Sequence, residues 1–234
     1  MKRNVIQLLG EAKAKMNGYV GLLTLRYANL CVKAEAASLL PVTIVVDNEE
    51  MNIEQLAEVG IPKEDVLAVV PKNRDLLFDI GKGVMTAHPE FKMDIVQNEN
   101  NDDEEDKYLT FTMPEVNKDR HDLLESGVDG LHDQCKTKID AVMEQYTARL
   151  VQEMAGATPE IIDEVKEQLE ELYDFYDKTL EQMTSEKKKE IEEAYQRYVA
   201  TQDERTQQQQ EMDAAHSSSA GISMKMGEEN QEHE

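Results

Sequence analysis

Three groups of residues in the sequence have side chains that are able to bind a metal ion or a phosphate. His132 and Cys135 lie three residues apart, so on a helix both could face one metal ion, but no further ligand accompanies them. The Gly-Lys-Gly sequence at 81–83 lacks the preceding strand and the glycine spacing of a phosphate-binding loop. The acidic run at 97–107 lacks the ligand spacing and the glycine of a calcium-binding helix-loop-helix. We therefore predict a non-enzymatic protein with no catalytic residues, no metal site and no cofactor, and a solvated loop at 97–107.

The composition and charge of the chain indicate long, solvated helices. The 234 residues include 49 acids and 25 bases, which gives a formal net charge of −24. A surface this acidic repels a phosphate backbone, so any contact with RNA needs local basic spots or partner proteins. Tryptophan is absent and aromatic residues make up 5%, whereas charged residues make up 32%. This supply of apolar residues suits elongated helices that each bury a single stripe.

The cysteines and the first thirty residues indicate in which cellular compartment the protein is expected. Cys31 and Cys135 occupy apolar positions of helical patterns, which predicts buried thiols in a reducing compartment. No apolar run is long enough to span a bilayer, and no secretory signal is visible. The first thirty residues carry an excess of bases, which suits an organellar targeting helix or an ordinary amphipathic helix. We expect an intracellular protein, in an organelle matrix (mitochondrial) or in the bacterial cytoplasm.

Three long segments have apolar residues at steps of three and four, which predicts helices at 4–33, 117–155 and 159–200. Asn117 is a suitable N-cap for the second helix. A turn with Pro159 in the first helical position joins the last two helices, which makes them antiparallel neighbours. Because each helix has only one apolar stripe, none is stable alone, and a three-helix bundle satisfies all three.

Between the first two helices the pattern changes to short β-branched runs. Strands are predicted at 42–46, 66–70 and 108–112, with a short helix from Arg74 to about Thr86 capped by Asn73. Residues 53–57 form either a helical turn or the edge of a strand. The predicted organisation is a bundle of 1–37 and 113–200, an inserted α/β domain at 38–112, and a disordered acidic tail at 201–234.

This order of elements, together with local residues, resembles the ribosome recycling factor family. Gln55-Leu56-Ala57 with Val59 is similar to that family's Gln-Leu-Ala-x-Val segment. The stretch Pro-Glu-Val-Asn-Lys-Asp-Arg-His-Asp-Leu-Leu at 114–124 is similar to the family's Pro-x-Leu-Thr-x-Glu-Arg-Arg at the start of the second bundle helix. The resemblance covers residues 1–200 in layout. It implies an L-shaped α+β fold, an elongated three-helix bundle with the small domain inserted after the first helix.

The resemblance also implies a function. Members of the family are non-enzymatic translation factors that promote subunit release after termination. The implied partners are the ribosome (its large subunit) and an elongation-factor-type GTPase, with no membrane or DNA partner and a monomeric chain. A repurposed ribosome-bound role is a variant of this interpretation.

The sequence departs from the family where ribosomal RNA is contacted. The family's row of arginines on the second bundle helix is replaced in gapless register by Asp129, Lys136, Asp140, Met143 and Glu144. The family's Arg-Thr-Gly-Arg-Ala-Ser-Pro signature at the end of the first helix is also lost, since the chain has Cys-Val-Lys-Ala-Glu-Ala-Ala-Ser at 31–38. The candidates for rRNA contact are therefore the bases that remain near the bundle end: Arg26, Lys33, Arg120, His121, Lys136 and Lys138. The predicted hinge between the two domains consists of Ala34, Pro41, Met113 and Pro114.

A second class of function stays open, that of a helical adaptor or chaperone that binds proteins and has no ribosomal role. The inserted domain favours the translation factor, because a plain coiled-coil adaptor has no need of it. The acids in the arginine row favour the adaptor.

Overall fold

The computed structural model describes the backbone of residues 3–97 and 107–228 and the side chains of residues 3–97 and 107–212. The helices are α1 (Arg3–Ala28), α2 (Ile53–Leu56), α3 (Leu77–Ala87), α4 (Lys118–Glu153) and α5 (Pro159–Glu228). The strands are β1 (Thr43–Val46), β2 (Glu49–Asn52), β3 (Ala57–Lys63), β4 (Val66–Pro71), β5 (Lys92–Gln97) and β6 (Lys107–Thr112). Short 3₁₀ turns cover Ala36–Leu39 and Arg74–Leu76.

The long helices α1, α4 and α5 pack into one bundle around a shared apolar core. The predicted stripes supply its fully buried side chains, among them Met16, Leu23, Val128, Ile139, Tyr146, Leu150, Val165, Leu180 and Ile191. Asn117 caps α4 as predicted, because its side chain accepts a hydrogen bond from the Arg120 backbone N–H at 2.9 Å. The turn between α4 and α5 contains Gly156 at φ +81°, a left-handed conformation that suits glycine.

The small lobe between α1 and α4 contains two antiparallel sheets. Strands β1 and β2 form a hairpin whose turn residues, Asp47 and Asn48, both have positive φ. The other four strands form a sheet in the order β3-β4-β6-β5. Helix α3 packs on β1 and β6, and together they enclose a second core that includes Leu39, Ile44, Ile53, Leu67, Val69, Ile80, Val84, Leu109 and Phe111.

The first helix ends earlier than the sequence pattern predicts. The stripe continues to residue 33, but α1 stops at Ala28 and Cys31 adopts φ +52°. This left-handed residue turns the chain, so that Cys31 is buried in the core of the small lobe and Val32 in the core of the bundle. The apolar pattern at 30–33 therefore serves two cores, and the helix prediction there is wrong.

Three strands and the end of the last helix also differ from the sequence-based predictions. Strands β2, β3 and β5 were not predicted, since their side chains are mostly exposed and do not alternate.

Helix α5 continues to Glu228, where a disordered tail was predicted from residue 201. Glutamine, glutamate and arginine are common in that stretch and are good helix formers. Residues 98–106 of the predicted acidic loop and 229–234 of the tail lie outside the described residues. Among the described helices, none combines the length and apolar character needed to cross a bilayer.

The packing of α3 on β1 requires a residue without a side chain at Gly83. A Cβ atom placed there would overlap the Ile44 Cδ1 atom and lie 3.3 Å from the Thr43 carbonyl oxygen, whereas at Gly130 on α4 it would meet no atom within 4 Å. Both sites are helical, so Ala for Gly improves helix propensity equally. We expect Gly83→Ala to be less stable than Gly130→Ala by about 1–3 kcal/mol, measured by urea unfolding. Equal stability of the two variants would contradict this packing.

Candidate nucleic-acid interface

The six bases predicted to contact RNA do not form one free basic face. Arg26 lies near the end of α1, Lys33 follows that helix, and the other four lie on α4. On α4, Lys136 points to α5, where it contacts Tyr173 and Asp177, whereas Lys138 lies over the ring of Tyr19 on α1. The structure therefore divides these bases between the two grooves that flank α4.

Lys136 is engaged within the bundle. Its ammonium group donates to the Tyr173 hydroxyl and to the Asp177 carboxylate, and lies 3.4 Å from an Asp140 oxygen. Partial burial lowers the pKa of Lys136, but the bonds to Asp177 and Tyr173 and the charge of Asp140 outweigh burial and raise it overall. The side chain is 30% exposed. Lys136, the base that the predicted register places at an arginine position of the family, is thus held by α5.

The same groove contains a series of polar contacts between α4 and α5. Asp129 pairs with Lys188 at 2.6 Å, His132 contacts Thr184 at 2.9 Å, and the Tyr173 hydroxyl donates to Asp140 at 2.7 Å. With the Lys136 contacts they form a polar ladder of Asp129, His132, Lys136 and Asp140 on α4 against Lys188, Thr184, Glu181, Asp177 and Tyr173 on α5. Of the five positions predicted to match the family's arginines, three (129, 136 and 140) therefore connect two helices of the bundle.

Arg120 binds the backbone where α1 ends. Its Nη2 atom donates to the carbonyl oxygens of Leu30 at 3.5 Å and Cys31 at 3.2 Å. Burial lowers the pKa of Arg120, and its Nε atom is buried without a hydrogen-bond partner among the described residues. This guanidinium satisfies carbonyls that the early end of α1 leaves without helical donors.

His121 is a buried cross-link between α4 and α5. The ring is 8% exposed, its Nδ1 lies 3.0 Å from Asp122 and its Nε2 lies 3.0 Å from Glu192. Tyr195 packs on the ring with centroids 4.9 Å apart. Hydrogen bonds to Asp122 and then to Glu192 raise the pKa of His121, which favours the imidazolium.

Lys33 belongs to a cluster that joins the segment after α1 to α5. Its ammonium lies 3.1 Å from Glu190, a hydrogen bond that raises the pKa of Lys33. Glu190 also pairs with Lys187 at 2.8 Å, and Lys187, which is 6% exposed, lies 3.6 Å from Glu35. Lys33 thus belongs to a mixed-charge contact with α5.

Arg26 and Lys138 keep the most freedom for an external anion. Both line a shallow groove between α1 and α4 with Tyr19 and Leu131. Arg26 donates to the neutral amide oxygen of Gln134 at 3.1 Å, and the Lys138 ammonium lies 5.4 Å from the centre of the Tyr19 ring. Neither makes an ion pair with a carboxylate in the part of the chain that the structure describes. Of the six candidates, these two are the pair that the structure brings together.

The predicted hinge residues lie at the two chain crossings between the lobes. The backbone N–H groups of Ala34 and Met113 donate to the carbonyls of Glu64 at 2.7 Å and Asp65 at 2.8 Å, so one turn holds both crossings. Pro114 lines a cavity of about 230 Å³ between this turn and α5, and Pro41 is exposed at the end of a 3₁₀ turn. Arg197 of α5 pairs with Glu64 at 3.1 Å. Rotation of the lobes about these residues stays a prediction.

Sequence reasoning missed a cluster of Cys31, His88 and Glu90, whose ligand atoms all lie within 4.8 Å of one another. Cys31 and His88 are 57 residues apart, so no local spacing pointed to them. Both cysteines are buried and unpaired, as predicted. Burial, reinforced by the charge of Glu90, raises the pKa of the Cys31 thiol to about 12, so without a bound cation this sulphur is not a thiolate nucleophile.

The His121 contacts predict a pH-dependent contribution to stability. Because the folded-state pKa is raised, the contribution is complete below the unfolded value of about 6.5 and is lost as pH rises through the folded pKa. Bonds to Lys118 and Gln196 respectively lower the pKa of Asp122 and Glu192, so both partners stay ionised at mildly acidic pH. We expect the stability lost in His121→Gln to be larger at about pH 5.5 than at about pH 8.5, by urea unfolding. A pH-independent loss would contradict the ionic contacts.

The polar ladder predicts that Lys136 contributes to stability. Lys136→Met should lower the free energy of unfolding by about 1 kcal/mol, because it leaves Asp140 and Asp177 close together without a base. Lys189 is the control: its pair with Glu193 is exposed and 3.6 Å long, so Lys189→Met should cost less than about 0.5 kcal/mol. Thermal unfolding at low salt measures the stability of both variants and of the parent. Equal losses would show that the ladder adds nothing beyond a surface pair.

The sequence and the fold are similar to those of one family of known proteins. The family model of the ribosome recycling factor matches residues 27–191. No curated protein sequence matches the chain. The solution structure of the ribosome recycling factor is similar, with a TM-score of 0.63 and 17% identity over 82% of this chain and 100% of that one. A second similar chain comes from models for the T. thermophilus ribosome recycling factor and the E. coli elongation factor G bound to the E. coli post-termination complex. Its TM-score is 0.54, with 16% identity over 80% of this chain and 98% of that one. Because the family match spans both the bundle and the small lobe, this chain belongs to the ribosome recycling factor family.

Proposed function

We propose that this protein is a ribosome-associated translation factor that promotes subunit release after termination and acts wherever ribosomes are present. The observation that carries the proposal is membership of the recycling factor family over residues 27–191. The matched part includes the inserted lobe, which a plain helical adaptor does not need. The family is one of non-enzymatic translation factors, so the proposed action is mechanical and makes or breaks no covalent bond.

The proposed partners are the ribosome, through its large subunit, and an elongation-factor-type GTPase. Support comes from a relative of the same fold that appears with elongation factor G on a post-termination complex. For the mechanical role we keep the predicted division of the chain, with 1–37 and 113–200 as the bundle and 38–112 as the lobe. The shared turn at 64–65 holds both crossings and pairs with Arg197 of α5 through Glu64, so a push on the lobe would reach the bundle through this turn and the two crossings.

The docking surface that we propose is the groove between α1 and α4. The polar ladder occupies the other side of α4, where the bases already have carboxylate partners. Arg26 and Lys138 line the α1–α4 groove without such partners, so a phosphate would gain two charge-assisted contacts there. Because so few phosphate contacts are available, most of the binding free energy must come from contacts with ribosomal proteins or from shape complementarity to the ribosome.

Cosedimentation of the full chain with ribosomal subunits across a salt series tests this function. We expect binding whose logarithm falls with log salt at a slope no steeper than about −2, because about two phosphates are engaged. A chain that stays in the supernatant at low salt would overturn the ribosomal role and favour the adaptor, which the net charge of −24 supports. A steep slope would instead show that a larger basic surface is used.

A charge-matched pair of variants tests the docking surface. The double variant of Arg26→Gln and Lys138→Gln should weaken ribosome binding by roughly 1–3 kcal/mol and flatten the salt dependence. The control is Lys178→Gln with Lys189→Gln, which removes the same charge from exposed positions on α5. Lys136→Met should change stability more than binding, since α5 holds that base. If the control weakens binding equally, only net charge matters and the groove is not the docking site.

A further inference from the structure

The cluster of Cys31, His88 and Glu90 lies where the first helix of the bundle meets the small lobe. Cys31 follows α1, whereas His88 and Glu90 follow α3. The Cys31 Sγ atom is 3.8 Å from His88 Nδ1, and that nitrogen is 3.2 Å from Glu90 Oε1. Cys31 and His88 are buried and Glu90 is exposed, so solvent reaches the cluster from the glutamate side.

We propose that these three side chains bind a divalent transition-metal ion of the zinc type, with solvent in the fourth position. Thiolate, imidazole and carboxylate are the zinc ligands of proteins. With metal–ligand bonds of about 2.0–2.3 Å, the ligand atoms of one tetrahedral ion lie roughly 3.2–3.7 Å apart. The sulphur–nitrogen and nitrogen–oxygen distances of 3.8 and 3.2 Å are close to this range, and the sulphur and the carboxylate oxygen lie within 4.8 Å of each other, so binding needs a shift of side chains but not of the backbone fold.

The surroundings of His88 fix its ring in a ligating orientation. Its Nε2 atom lies 3.1 Å from the Ser38 carbonyl oxygen, which can only accept, so the proton of the neutral ring is on Nε2. The Nδ1 lone pair then faces Cys31 and Glu90. Phe91 stacks on the ring at 4.6 Å with an interplanar angle of 4°. A carbonyl that orients the second nitrogen of a histidine is a recurrent partner of metal-binding histidines.

The electrostatics of the cluster call for a cation. A bare Nδ1 lone pair 3.2 Å from a carboxylate oxygen places two acceptors face to face, which a proton or a metal ion must bridge. The Cys31 thiol donates to the Asn29 carbonyl oxygen at 3.3 Å, a bond that a bound metal ion would replace. A metal ion binds all three atoms, and one thiolate and one carboxylate balance its two charges beside the nearby Arg120 guanidinium.

The turn at Cys31, which adopts φ +52° where the chain passes between the two cores, places the thiol beside His88. The His132 and Cys135 pair offers no equivalent, because both ring nitrogens of His132 already face Thr184 and Glu181. That pair supplies the matched control. The inference departs from the sequence-based expectation of no metal site, and it is independent of the ribosomal role.

Titration of the full-length, metal-stripped and reduced protein with Co²⁺ tests the proposal. We expect one ion per chain, with a thiolate-to-cobalt charge-transfer band and the intense visible absorption of tetrahedral cobalt. Cys31→Ser should abolish the charge-transfer band, and His88→Gln and Glu90→Gln should weaken binding at least about tenfold. Cys135→Ser, which changes the other buried thiol, should retain the band. Zn²⁺ should compete, and should raise the Tm of the parent and of Cys135→Ser but not of Cys31→Ser.

Several results would overturn the inference. If the parent binds no cobalt, the three side chains form only a packing and hydrogen-bond cluster. A band that survives Cys31→Ser, or that disappears in Cys135→Ser, would place the ion elsewhere. If Cys31→Ser does not fold, Glu90→Gln at the exposed ligand remains, and X-ray absorption of the cobalt-loaded parent reports whether sulphur, nitrogen and oxygen share one ion. A spectrum without sulphur would equally refute the proposal.

Discussion

The two lobes depend on a single peptide unit at which the chain passes from one core to the other. Cys31 is buried in the small lobe and Val32, the next residue, in the bundle. Successive side chains of a helix cannot reach two separate cores, so α1 must end and Cys31 must adopt φ +52°. For a residue with a Cβ atom this costs about 1–3 kcal/mol, which burial of both side chains offsets. Arg120 completes the crossing by binding the two carbonyls that the turn exposes.

Much of the fold could be predicted from the sequence, because a helix with one apolar stripe must find partners. The α4 and α5 stripes and the Asn117 cap were predicted at the residues where the structure has them. The end of α1 was not, since Leu30 and Val32 continue its period although they pack on the bundle beyond the turn. Strands β3 and β5 are mostly exposed and carry no clear alternation, and they are defined by their pairing with β4 and β6.

The sequence could predict which basic residues are candidates for the interface, but not which residues each base contacts in the fold. The sequence shows that Lys136 is a base in an acidic helix, yet its neighbours Tyr173 and Asp177 are almost forty residues away along the chain. The same limit hid the cluster at Cys31, because its ligands come from the ends of two different helices. Whether a charged side chain is available to a ligand depends on which distant residues pack beside it. Packing decides this, and the spacing of residues within one helix or strand does not reveal it.

The polar ladder also constrains how this sequence can change. An arginine at position 129 would face Lys188, and an arginine at 140 would face Lys136 and lose the hydrogen bond from Tyr173. An arginine at 129 therefore brings like charges together across two helices, and one at 140 does so within α4, so each needs a simultaneous change of Lys188 or Lys136. Such epistasis makes the loss of the arginines hard to reverse. Substitutions on α5 that are neutral in a relative with a basic row would be harmful here, and the two helices must evolve as a coupled pair.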